Sequence, residues 1–101
     1  MAGVLETIVG KRIKEFIVNE YDAHLMFGDG AILTIYNKWS LTGTHDPRLA
    51  GYRVLSLVKD AESIRLTFFP EGAFSIGMRG SDYLGPEAIQ FRSAEGTIYI
   101  D

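Results

Sequence analysis

Apolar and polar residues alternate along most of this chain. Tyr21, Ala23, Leu25 and Phe27 hold one side of a period of two, with Asp22, His24 and Met26 on the other. The pattern resumes with Ala31, Leu33 and Ile35 against Ile32, Thr34 and Tyr36. Such alternation marks strands with one buried face. Gly28, Asp29 and Gly30 stand between the two runs and can supply the positive φ angles of a hairpin turn. The stretch FGDGAILTIY is therefore expected to be a β-hairpin. A phosphate-binding glycine loop would open a helix, and no helical period follows. An EF-hand loop would need further oxygen ligands at set positions, and these are missing.

The second half repeats the first. Residues 10–37 align with residues 51–78 at a constant offset of 41, matching Gly10 with Gly51, Arg12 with Arg53, Leu25 with Leu66, Phe27 with Phe68 and Ile35 with Ile76. Inward parity is kept throughout, although a slip of one residue would turn every side chain to the other face. Either a duplicated three-stranded unit or the convergence of two meanders accounts for the match. Each unit predicts three strands, at 11–18, 21–27 and 31–37 and again at 52–59, 63–69 and 73–79. The stretch KRIKEF, at the start of the first strand, also fits a helical period. A closing hairpin follows over 87–101, with strands at 87–92 and 96–101. Residues 3–9 predict one helical turn or a short strand. Segments 37–51 and 79–88 carry no clear period, and long connections are where function tends to sit on a β scaffold.

The expected class is all-β. About eight mostly antiparallel strands run in a meander, closing as a barrel or stacking as a two-sheet sandwich. The 101 residues make a single domain (1–101) with room for one core. Phe27, Leu33, Leu66, Phe68, Phe74 and Ile76 point inward and would fill a small barrel, which counts against an enclosed ligand. Val18, Ile32, Tyr36 and Phe69 fall on the outward side, an apolar patch that a second copy, residues 3–9 or the 37–51 segment would cover.

The net charge of −3 comes from 10 basic and 13 acidic residues with no basic block. That argues against direct nucleic-acid binding, which needs clustered Lys or Arg. There are no cysteines, so disulfides, thiolate nucleophiles and Cys–zinc sites are excluded. The N-terminus shows no secretory leader and no apolar run long enough to span a membrane, so a cytoplasmic location is expected.

Catalytic chemistry finds little footing. His24 and His45 lack metal-ligand spacing, and a solvent-facing strand position and a surface loop account for them. Asp46 could orient the His45 imidazole within the HDP sequence. No serine lies in a nucleophile elbow. Glu71, Asp82 and Glu87 could pair for acid–base work, but nothing in the sequence fixes their distances. No cofactor and no metal are expected. Trp39 and Tyr83 stand in the two irregular segments, where an aromatic side chain serves as an interface anchor or plugs the end of the fold. Asp82, Tyr83 and Glu87 could form an acidic–aromatic patch at the corner before the seventh strand.

The stretches FGDGAILTIYNKWSL and GPEAIQFRSAEGTIYI together resemble a group of small bacterial β proteins of unknown function. In these, a "dG..L.I" hairpin precedes a closing "GPEA" strand pair. Some are encoded beside polymorphic toxin or contact-dependent growth inhibition genes and are thought to act as immunity proteins. The resemblance covers most of the chain through turn and strand motifs, and no catalytic residue carries over. It implies a cytoplasmic, non-catalytic protein that binds a cognate toxin domain, such as a nuclease with a basic cleft, and neutralises it. Trp39, Asp46, Asp82, Tyr83 and Glu87 are then the candidate partner-binding residues. A small-molecule-binding barrel, an enzyme built on His24 or His45, and a homo-oligomer such as a homodimer are the competing expectations.

Overall fold

A computed structural model describes residues 3–101. Met1 and Ala2, where the leaderless reading and the 1–101 domain begin, lie outside the described residues. Nine strands follow one another: β1 (Ile13–Val18), β2 (Ala23–Phe27), β3 (Ile32–Ile35), β4 (Trp39–Thr42), β5 (Arg53–Lys59), β6 (Ser63–Phe69), β7 (Ala73–Gly77), β8 (Ile89–Arg92) and β9 (Ile98–Ile100). They form two antiparallel sheets, one ordered β1-β2-β3-β8-β9 and the other β4-β7-β6-β5. This is the two-sheet sandwich, with the inward positions of both sheets as its core. Phe27, Leu33, Leu66, Phe68, Phe74 and Ile76 are all buried, joined by Phe91, Ile89, Leu25 and Ile64. Among the described residues no helix is long and apolar enough to cross a membrane.

The opening hairpin forms as its turn chemistry requires. Gly30 takes φ +94°, while the Asp29 carboxylate accepts the Ala31 N–H at 3.0 Å and pairs with Lys11. An acid in this place folds the turn.

The repeat seen in the sequence is a repeat of register. Ile13 pairs with Phe27 and Val54 with Phe68; Phe16 pairs with Leu25 and Leu57 with Leu66; Ala23 pairs with Ile35 and Ile64 with Ile76. Each strand pair carries a bulge, after Ile13 and after Val54. The equivalence extends to the next strand, which each unit donates to the opposite sheet. β4 pairs with β7, setting Trp39 opposite Ile76 and Leu41 opposite Phe74. β8 pairs with β3, setting Ile89 opposite Ile35 and Phe91 opposite Leu33. Ile76 and Ile35 are equivalent, as are Phe74 and Leu33. Two units of four strands thus interlock by exchanging their last strands, and β9 is an addition to one of them.

Two details depart from the sequence reading, and two of its alternatives are decided. The 37–51 segment is not wholly irregular, because it contains β4. KRIKEF is not helical; it enters β1 and bends at the bulge. Residues Leu5–Ile8 form a 3₁₀ turn that buries Leu5 and Ile8. The bulge also moves Val18 off the outward side. It stands opposite buried Ala23 yet is 58% exposed, since it lies at the sandwich edge.

Candidate functional site

The 79–88 segment wraps one end of the sandwich. A 3₁₀ turn at Gly80–Asp82 opens it, and the Asp82 carboxylate accepts the Arg79 N–H at 3.2 Å. The Asp82 carbonyl accepts the Lys38 N–H at 3.0 Å, tying the segment to the start of β4. Gly77 makes room for this fold, since a Cβ there would stand 2.3 Å from the Asp82 carboxyl. Tyr83 then turns inward and packs against the core. Ala88 is buried, and its carbonyl accepts N–H groups from Tyr36 at 2.9 Å and Asn37 at 3.2 Å. With both ends pinned, Leu84, Gly85 and Pro86 project between them.

Their projection makes a concave surface. Tyr21, Tyr36, Leu84, Gly85, Pro86 and Glu87 line a groove of about 400 Å³. Its walls are apolar and open: Tyr21 is 80% exposed and Leu84 67%. Glu87 supplies acid in it, and Glu20 and Asp22 flank Tyr21 in the chain. A smaller depression of about 290 Å³ lies between Lys38, Trp39, Ser40, Ser63, Ser75, Gly77 and Asp82, with hydroxyls on its floor.

The candidate residues from the sequence are distributed over this surface. Trp39 and Asp82 share the smaller depression. Glu87 lines the larger groove, and Tyr83 lies between the two in sequence, half-buried. Trp39 is also built into the edge of the core. Its ring stacks on Phe74 at 5.3 Å and meets the edge of Phe16 at 5.2 Å. Asp46 lies past the other end of β4, where its carboxylate accepts the Arg48 N–H at 2.9 Å. Tyr21, Tyr36 and Leu84 were not singled out by sequence. Tyr21 read as an inward strand position, but the strand starts only at Ala23.

The two histidines find separate partners. His24 lies on the outer face of its sheet, with Nδ1 3.0 Å from the Thr34 hydroxyl and Nε2 3.4 Å from Asp22. His45 meets Glu71, not Asp46: its backbone N–H donates to the carboxylate at 2.6 Å and Nδ1 lies 2.8 Å from the same oxygen. Tyr52 donates its hydroxyl to Glu71 at 2.9 Å. The His45 bonds, and then the Tyr52 bond, hold the Glu71 carboxyl below the usual range. Burial, and then the bond to Glu71, pushes the Tyr52 phenol up. The imidazole is 94% exposed, with no serine or threonine hydroxyl bonded to it. Its bonds tie the loop after β4 to the β6–β7 turn. Among the described residues no group of three or more His, Cys, Asp or Glu could hold a metal ion. No protein-family model, curated protein or solved structure matches this chain.

Proposed function

We propose that this is a non-catalytic binding protein, a cytoplasmic immunity protein that binds and neutralises a cognate toxin domain. The carrying observation is the open groove of Tyr21, Tyr36, Leu84 and Pro86 with Glu87 at its rim. Exposed aromatic and aliphatic side chains on pinned backbone are what a tight protein interface uses as anchors. The acids around them would speed encounter with a basic partner surface such as a nuclease cleft. The resemblance of the FGDG hairpin and the GPEA strand pair to small bacterial immunity proteins points the same way. The sandwich interior is filled by Phe27, Phe74 and Phe91, which lends no support to a ligand-enclosing barrel.

The test is co-expression with the C-terminal domain of the large protein encoded by the adjacent gene. A one-to-one complex that survives stringent washing, together with relief of toxicity, is the expected result. Absence of both would overturn the reading for that pair.

A further inference from the structure

The two interlocked units are not finished alike. On β8, the edge away from β3 is closed by β9: Tyr99 pairs with Phe91, and Ile89 exchanges backbone hydrogen bonds with Asp101 at 3.1 and 3.2 Å. The equivalent residues of β4 are Leu41 and Trp39. Lys38 accepts the Gly77 N–H at 2.9 Å, so Lys38, Ser40 and Thr42 turn their backbone groups towards β7. The N–H and C=O of Trp39 and Leu41 therefore point away from it, and among the described residues no hydrogen bond receives them. The side chains tell the same story. Ile89 and Phe91 are fully buried, whereas Trp39 and Leu41 are half-buried. Lys59 reaches Tyr99 and Asp101 across the closed side, and its equivalent on the open side is the exposed Val18.

The edge is also undefended. β4 has no charge, no proline and no bulge, the devices that keep edge strands apart. The edges of β1 and β5 are covered in part, and the outer side of β9, with Ile98 and Ile100 exposed, is open as well. Phe16 of β1 donates to the Arg48 carbonyl at 2.8 Å, and Val54 of β5 accepts from Gly10 at 2.7 Å.

We infer that the free edge of β4 pairs with β4 of a second copy, antiparallel, about a two-fold axis at Ser40. The register is self-complementary. Trp39 of each protomer faces Leu41 of the other, and these are the residues with free backbone groups on both sides. Their side chains make apolar pairs on the inner face. Ser40 meets Ser40 on the outer face and Lys38 meets Thr42, so no like charges are opposed. The four-stranded sheets join into one continuous sheet, an isologous interface that closes after two copies.

Crosslinking reads this register directly, because the chain has no cysteine of its own. In Ser40→Cys the two thiols would lie on a non-hydrogen-bonded antiparallel pair, with Cα atoms about 4.5 Å apart, within disulfide reach. In Thr42→Cys they would be about 14 Å apart, out of reach. Mild oxidation should link Ser40→Cys into covalent dimers and leave Thr42→Cys monomeric. Sedimentation of the wild-type chain should give twice the 11.2 kDa monomer. Ser40→Lys, which sets two ammonium groups face to face, should lose the dimer and keep the far-UV circular dichroism of the folded chain. A monomer at all concentrations, equal crosslinking of the two cysteine variants, or a dimer indifferent to Ser40→Lys would each overturn the inference. So would a monomer whose capture of a toxin domain fails on Ser40→Lys, which would assign the edge to that partner.

Discussion

Arg12 and Arg53 form an isolated antiparallel bridge with each other, and they hold the same place in the two units. The hydrogen bonds around them come in matched pairs. Gly10 donates to Val54 at 2.7 Å and Gly51 to Ile13 at 2.8 Å; Ile13 donates to Tyr52 at 2.7 Å and Val54 to Lys11 at 3.0 Å. Each bond becomes the other when its donor and acceptor are shifted by one repeat length in opposite directions. A pseudo-two-fold axis therefore passes between the two arginines and relates one sheet to the other. Convergence of two meanders explains similar strands, but it gives no reason for one unit to contact the other through equivalent residues. The equivalence of the two units is thus one of contacts as well as of strands.

Gly10 and Gly51 flank this axis at φ +91° and +83°. A Cβ at either would meet nothing within 4 Å, so replacement by alanine tests backbone strain alone. Gly10→Ala and Gly51→Ala should each cost about 1–2 kcal/mol, similar to one another because the sites are equivalent. Urea midpoints of the two variants check this. A loss at one site only would show that the symmetry is not energetic.

The symmetry is broken in the core by an aromatic cluster. Phe74 sits 5.4 Å from Phe16 and 5.3 Å from Trp39, all centroid to centroid. The equivalent residues at the other end are Leu33, Leu57 and Ile89. Phe74→Ala empties a fully buried site and should cost about 3–5 kcal/mol. Phe74→Leu installs the side chain the other unit already uses and should cost less than half as much. Trp39 is the single tryptophan, so its emission reports the unfolding in both variants.

The inward residues were legible because a two-residue period survives wherever strands are regular. Phe27 and Phe68, or Leu33 and Phe74, need only their neighbours to be placed. β4 was not legible, because four residues, WSLT, directly after a strand have too short a period to register. Its partner β7 lies in the other unit, and such exchange is a long-range fact. The bulges at the starts of β1 and β5 add one residue and invert the parity beyond it, which misplaced Val18. His45 met Glu71 across 26 positions, where the adjacent Asp46 was the local suggestion. The groove escaped for a related reason: Tyr21, Tyr36 and Leu84 come from three segments, and only the fold brings them together.

Lys59 closes the sandwich on the β9 side and should make stability depend on pH at both extremes. Its bonds to Asp101 and Tyr99 push the ammonium up to about 12, and Lys59 in turn holds the Asp101 carboxyl below the usual range. A raised lysine stabilises fully below its unfolded value, roughly 10.4, and loses that contribution as pH climbs through about 12. A depressed carboxylate stabilises above its unfolded value, near 4, and loses that contribution as pH falls through its folded value. Lys59→Met should therefore flatten both limbs of a urea-midpoint profile and leave less difference from wild type at the extremes. Since Lys59 is 37% exposed, high salt should shrink the same difference. Parallel profiles for wild type and variant would show that the bridge carries no linkage.

The groove makes the sharpest separation between binding and folding. Tyr21 and Leu84 are 80% and 67% exposed, so truncating either to alanine should change folding stability by no more than about 0.5 kcal/mol. If they anchor a partner, the same truncations should weaken its binding by about tenfold each, mostly through faster dissociation. Glu87→Lys should act differently, slowing association and reversing its salt dependence, because a rim charge steers more than it holds. Trp39 gives no such separation. Its ring is packed on Phe74 and Phe16, so Trp39→Ala should lower stability by about 2 kcal/mol whether or not a partner touches it. Surface plasmon resonance of the four variants, read against their thermal melts, checks the set. Loss in Tyr21→Ala and Leu84→Ala with unchanged melts places the interface on the groove; full binding by both would remove it from there.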